Sequence, residues 1–229
     1  MKRLLACLAL CASLSASAQG DCELFNIQEL ASENLELHDS IAALNTELDN
    51  CNVFLEGVDL NGTNFDGAYL VYASITESEG TNVSFNNAQL TYAIMPSNQL
   101  EGADFSNAHL QGVNFTGSHL QGANFTDANM WLTNMAETNL DGADLSVADI
   151  GRVNFTSASL IGANLTGLYL QGSNFFTAHL GGADLAGATI AGANMRCLVN
   201  DCPSVLPSGY ICEPDPDCSY PYSYRIVPE

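Results

Sequence analysis

Residues 101–130 read EGADF-SNAHL-QGVNF-TGSHL-QGANF-TDANM, and every fifth residue of the stretch is large and apolar. Phe105, Leu110, Phe115, Leu120, Phe125 and Met130 hold that place, each two residues after a small one such as Ala103, Ala108, Val113 or Ser118. The position between the two favours Asn or Asp, and the last position of a unit is often Gly. Working outward, the phase runs unbroken from position 55 to position 195, about 29 units, and Gly80 is the one centre that is not Leu, Ile, Phe or Met. A period of five fits neither the 3.6 of a helix nor the two of an extended strand. It requires a chain that turns every five residues and buries two of them each time.

Asn98 and Leu168 are the clear exceptions at the small position. The pattern is poorest near Gly80 and around Ile94, Met95 and Pro96, and a loop or irregular coil is expected there, because proline removes a ladder donor.

The run A-[DN]-[LF]-x-G resembles the pentapeptide-repeat family over roughly residues 53–197. The resemblance implies an all-β fold, a right-handed quadrilateral β-helix (a pentapeptide-repeat solenoid) with four units per coil. That gives about seven coils and, at ~4.8 Å per coil, a rod roughly 35 Å long. The central Phe65, Phe85, Phe105, Phe115, Phe125, Phe155 and Phe175 then fall on two opposite sides, with Leu, Ile and Met on the other two. Phe facing Phe and Leu facing Leu is the expected filling of so narrow a core. Asn114, Asn134, Asn154, Asn174 and Asn194 stack on one side, where they are expected to hydrogen-bond along the rod.

The ends are different. Residues 1–18 read as a signal peptide: Met1, Lys2 and Arg3, an apolar run from Leu4 to Leu14, and small residues at Ala16 and Ala18, with cleavage expected after Ala18. The run is too short to span a membrane, and no other segment is long enough. Secretion or a periplasmic location follows. Removal of Cys7 and Cys11 leaves Cys22, Cys51, Cys197, Cys202, Cys212 and Cys218, an even set that reads as disulfides.

Residues 19–52 read as an N-terminal α-helix, with Ile27, Leu30, Leu37, Ile41, Leu44 and Leu48 at heptad positions and Asn34 among them. Two readings stand: a coiled coil that makes a homodimer through residues 27–51, or a cap across the open end of the rod. Residues 198–229 leave the repeat for a Pro-rich, disulfide-stapled C-terminal tail, whose cysteines allow three pairings with Cys197.

The chain has 26 Asp and Glu against 5 Lys and Arg, a net charge of −21 over 229 residues. So acidic a surface repels nucleic acid and anionic membranes, and direct binding to either is not expected. Catalytic signals are absent. His109 lies on one side of the rod and His119 and His179 on the opposite one, three coils apart, too far to share a metal. No cofactor or metal is implied, and the protein is read as a non-enzyme. Sequons such as Asn114-Phe115-Thr116 are generated by the repeat itself and carry no weight.

Sorting the chain by its twenty-residue coil puts Tyr69, Tyr72, Tyr92, Trp131 and Tyr169 on one side, which carries the fewest charges, chiefly Asp149 and Arg152. Asp59, Glu101, Asp104 and Asp141 lie on the others. Exposed aromatics on a flat polar sheet suggest a recognition surface for an unknown protein or glycan. The reading is an exported, non-catalytic structural or interaction rod. The alternative, implied by resemblance, is an acidic DNA mimic that occupies the DNA site of an enzyme such as a type II topoisomerase.

Overall fold

The computed structural model describes residues 53–219 and 223–229. The expected signal peptide, the residue 19–52 helix with its coiled-coil or cap roles, and Cys22 and Cys51 lie outside the described residues.

The chain winds as a four-sided β-helix. Parallel bridges join residues twenty apart, as in Asp104 to Asn124 to Asp144 to Asn164 to Asp184, so four five-residue units make a coil. Two sites widen into short strands, β1 (Phe54–Glu56) and β2 (Ser74–Thr76), paired in parallel with Leu55 beside Ile75.

The unit from Ala108 to Gly112 explains the sequence preferences. The centre donates up the rod, Leu110 N–H to the Asn129 carbonyl at 2.7 Å, and so does Gly112 N–H to Trp131 at 2.9 Å. The residue before the centre donates down, His109 N–H to Ala88 at 2.9 Å. The small residue closes the turn, Val113 N–H to the Leu110 carbonyl at 3.1 Å. The first turn residue is the one whose N–H stands outside this ladder. Asn or Asp two residues earlier accepts it: Thr126 N–H meets Asn124 Oδ1 at 3.0 Å and Ser106 N–H meets Asp104 Oδ1 at 3.0 Å. The repeat's polar position is therefore a local cap on the turn.

That arrangement corrects the expectation of a loop near Pro96. Pro96 occupies the first turn position, where no ladder donor is lost and the fixed φ of proline suits a turn. Without an N–H to cap, the position two residues earlier is free to be Ile94, which keeps its bridges to Ser74 and Asn114. Gly80 also stays in phase and is buried. A Cβ there would lie 2.7 Å from Val83 Cγ2 and 2.9 Å from Leu60 Cβ, so the centre has no room for a side chain.

Inside, Phe65, Phe85, Phe105 and Phe125 stack on one side, with centroids 4.7 to 5.1 Å apart and nearly parallel planes. Phe115 meets Phe105 and Phe125 edge-on from the opposite side, at 5.4 and 6.4 Å. The stack continues on that opposite side as Phe155 and Phe175, 4.7 Å apart. Phe thus faces Phe only at this hand-over. Elsewhere the large ring faces Leu, Ile or Met, because a column of rings on one side already fills most of the width.

Asn98 is fully buried and fully partnered. Its Oδ1 accepts Ser78 N–H at 2.9 Å, and its Nδ2 donates to the carbonyls of Ile75 (2.7 Å) and Met95 (2.9 Å). Ser78 Oγ in turn accepts Val58 N–H at 3.1 Å, and Ser118 Oγ accepts Asn98 N–H at 3.1 Å. On this corner the side chain of the next coil replaces the turn bond that Val113 makes elsewhere.

The tail seals the far end. β3 (Leu198–Val199), β4 (Tyr210–Pro214) and β5 (Ser223–Pro228) form an antiparallel sheet in the order β3-β5-β4. Its Leu198 and Ile226 are buried, with Leu206, Tyr210 and Tyr224 packed on the core. Val205 accepts the Leu185 N–H, and Ile226 N–H reaches the Met195 carbonyl, so the last coil's edge is paired rather than open. Of the three possible pairings the structure selects Cys197–Cys218 and Cys202–Cys212.

Candidate functional site

The Asn column hydrogen-bonds along the rod as expected: Asn134 Nδ2 to Asn114 Oδ1 at 3.2 Å, Asn154 to Asn134 at 3.0 Å, Asn194 to Asn174 at 2.8 Å. These amides are occupied by structure. The sequon nitrogens of Asn124 and Asn154 are likewise engaged, with Asp104 and Asn134.

On the aromatic side, Tyr69, Tyr72, Tyr92, Trp131 and Tyr169 are 52, 58, 51, 44 and 75% exposed. The structure brings some together and leaves others apart. Tyr72 and Tyr92 stack with centroids 5.6 Å apart and planes 12° from parallel. Trp131 lies beneath the Arg152 guanidinium, 5.6 Å from the ring centroid. Tyr69 stands at the level of the first of these coils, and Tyr169 stands above Asp149 in the column before the turn.

Two glycines make room for the rings. A Cβ at Gly112 would meet Tyr92 Cδ1 at 2.5 Å, so the ring lies against bare backbone, and Gly151 receives the Trp131 indole in the same way. Tyr92 is therefore stacked on Tyr72, with its Cδ1–Cε1 edge against Gly112.

Tyr72, Tyr92, Leu132 and Arg152 share one corner column, with φ of 60, 60, 60 and 58°, a left-handed conformation that glycine adopts at Gly112 and Gly172 in the same column. A bulky side chain there costs about 1 kcal/mol or more against glycine. Sequence reasoning missed Leu132, 49% exposed, and the contact of Arg152 with Trp131. The available signal was a large residue where the repeat prefers glycine.

Charge is distributed as the sequence indicates. Asp66, Asp104, Asp127, Asp144 and Asp184 line one side and Asp59, Glu79, Glu101 and Asp141 the next, whereas Asp149 and Arg152 offset each other on the aromatic side. Arg152 is the sole Lys or Arg between residues 53 and 195.

In the tail, Cys197, Asp215 and Cys218 place ligand-type atoms within 4.8 Å of one another, but both sulfurs are in one disulfide and offer no thiolate. The Asp215 carboxylate accepts Arg196 at 3.3 Å and the backbone N–H groups of Cys197 (3.3 Å) and Asp217 (3.2 Å). Burial pushes this carboxyl up, yet the hydrogen bonds from Arg196 and the two amides outweigh it and hold it below its ordinary range. His119 and His179 fall in one column, three coils apart, and His109 on the opposite side, as expected; that opposite side is the aromatic one. Among the described residues no helix is long and apolar enough to cross a membrane.

The model for a pentapeptide repeat region matches residues 46–125, and that for pentapeptide repeats (8 copies) matches residues 138–176. The chain belongs to the pentapeptide-repeat family. No protein of curated function matches it in sequence. Among solved structures of this family it is similar to a trypsin-treated variant of QnrB1, a plasmid-mediated fluoroquinolone resistance protein: 22% identity over 68% of this chain and 84% of that one, TM-score 0.45. It is also similar to HetL, involved in heterocyst differentiation regulation in the cyanobacterium Nostoc, with 24% identity over 68% and 91% of the two chains and a TM-score of 0.26. A pentapeptide repeat protein of the Arabidopsis thaliana thylakoid lumen gives 28% identity over 56% and 68%, with a TM-score of 0.23. All three TM-scores are below 0.5, so the fold rests on the coil geometry and the family models.

Proposed function

We propose that this protein is an exported, non-catalytic interaction rod, a right-handed β-helix whose aromatic side binds a protein surface. The observation that carries this is the concentration of exposed Tyr72, Tyr92, Trp131 and Leu132 on the one side whose charges cancel. Large half-exposed rings at strained corner positions, on a rod otherwise covered with acids, suit partner contact. A sugar ring would stack on an aromatic face, and one face of Tyr92 is taken by Tyr72 and one of Trp131 by Arg152. Export is supported by the basic-apolar-small leader and by two disulfides, which persist in oxidising compartments.

Trp131 is the only Trp and so reports on its own surroundings. Its emission, followed while envelope and matrix proteins and, separately, polysaccharides are titrated, is expected to shift saturably with a protein ligand and to lose that shift in Tyr92→Gly. A saturable response to polysaccharide alone overturns the protein reading in favour of a glycan. Silence across both panels, with intact β-structure by circular dichroism, removes the recognition role of this side.

The acidic columns favour one other reading, the DNA mimic. Thirteen Asp and Glu lie between residues 53 and 195, which on a rod roughly 35 Å long is one per about 2.7 Å, against one charge per ~1.7 Å of duplex. The reading predicts competition with DNA on a type II topoisomerase, lost in Asp104→Asn with Asp144→Asn. Unchanged DNA binding in the presence of excess protein eliminates it.

A further inference from the structure

We infer that the aromatic side pairs with the same side of a second copy of this chain, the two rods antiparallel about a twofold axis at the level of His109 and Gly112. This deepens the proposed function and rests on its reading of that side as a recognition surface.

The corner column supplies the argument. Tyr72, Tyr92, Gly112, Leu132 and Arg152 occupy successive coils, with bulky residues on both sides of a glycine against which the Tyr92 ring leans. An isologous contact needs residue i opposite j and j opposite i. A twofold axis lying across the rods, in the plane between them, keeps each column facing its own counterpart and reverses its order. Reversal about Gly112 sets Tyr72 of one copy opposite Arg152 of the other, and Tyr92 opposite Leu132. The neighbouring columns, read at the same levels, set Thr91 opposite Trp131, Gln89 opposite Asn129, and Tyr69 opposite Asp149.

The pairs match chemically: a guanidinium with an aromatic ring, a ring with an aliphatic chain, amide with amide, and phenol with carboxylate. Parallel rods in the same register would instead set Asp149, in the middle column, against Asp149, and would carry Arg152 to the opposite edge of the partner's side.

Charge excludes the alternatives. A chain of net charge −21 repels its own copy, and the repulsion is strongest between the sides lined by Asp104 and Asp141. The aromatic side is the one whose charges, Asp149 and Arg152, offset each other. Five coils about 4.8 Å apart on a side roughly 15–20 Å wide bury on the order of 400 Å² per copy, about half a standard interface. An interface this small is expected to be weak and reversible.

Sedimentation velocity of the full chain up to about 200 μM is expected to show a concentration-dependent dimer, favoured by salt because salt screens the self-repulsion. Arg152→Glu is expected to raise the dissociation constant at least about tenfold. Gln111→Cys, at the axis, is expected to cross-link to itself on mild oxidation. Gln89→Cys is expected to cross-link only when mixed with Asn129→Cys. A monomer throughout the concentration series overturns the proposal. So does a dimer indifferent to Arg152→Glu, which would point to residues 27–51, or Gln89→Cys cross-linking with itself, which would mean parallel rods. Should an added cysteine disturb the native disulfides, sedimentation of Arg152→Glu decides alone. A monomeric rod whose Trp131 emission still shifts saturably with another protein overturns the pairing and leaves the recognition reading standing.

Discussion

Asn98 Oδ1 accepts the backbone N–H of Ser78, one coil below it, at 2.9 Å, and this bond takes the place of a turn closure. Replacing Asn98 by Leu, of similar size, leaves the Ser78 N–H and the Ile75 carbonyl without that partner in a dry core. Each such group costs about 1–3 kcal/mol. Asn98→Leu is expected to destabilise the rod by roughly 3 kcal/mol, read as a lower denaturation midpoint, although Leu looks the better core residue. An unchanged midpoint would show that the amide network is dispensable.

Pro96 and Ile94 form a linked pair. Pro96→Ala restores an N–H that Ile94 cannot cap, and it enlarges the unfolded ensemble, for a loss of about 1 kcal/mol. Adding Ile94→Asn supplies the cap that Asn124 gives Thr126, and the double variant is expected to recover much of the loss. A double-mutant cycle in urea measures the coupling, and strict additivity would contradict the capping account.

Tyr92→Gly separates binding from folding. Glycine relieves a left-handed corner worth about 1 kcal/mol, while the lost contact with Tyr72 costs about 0.5–1.5 kcal/mol. The two effects nearly cancel, so the melting temperature is expected to move by a few degrees at most while partner binding and self-association fall. A collapse in stability would mean that the Tyr stack is a structural staple.

Asp215 makes the tail cap sensitive to acid. Its carboxyl is held below its ordinary range in the fold, so the unfolded chain binds the proton more tightly than the native cap does. The stabilisation is present above the unfolded value and is lost as pH falls through the lowered native one. Tail fluorescence from Tyr210 and Tyr224, followed by acid titration, is expected to report undocking at low pH. Asp215→Asn, which removes the charge-assisted acceptor of half-exposed Arg196, is expected to destabilise the cap at neutral pH and to flatten that dependence. Acid sensitivity retained in Asp215→Asn would assign it to another carboxylate.

The five-residue phase was legible because each turn is a local event. Five consecutive residues decide which two side chains point inward, and Ala103 with Phe105 or Ala123 with Phe125 repeat that choice without reference to the rest of the chain. The Asn column, the buried centres and the sides shared by Tyr72, Tyr92 and Trp131 followed from the same arithmetic.

What the sequence alone determined is therefore the periodic part: the coil, its core and the assignment of residues to sides. Only the tertiary structure decided what depends on neighbours twenty residues away or on the docking of the tail. Pro96 was harmless because the ladder leaves its position unused, and Asn98 belonged in the core because Ser78, Ile75 and Met95 met all its hydrogen bonds. Cys197 found Cys218, rather than the nearer Cys202, through the fold of β4 and β5. The rings of Tyr92 and Trp131 settled against Gly112 and Gly151, and Arg152 over Trp131, for the same reason: coil-on-coil contact is set by packing between distant units, which no local period encodes.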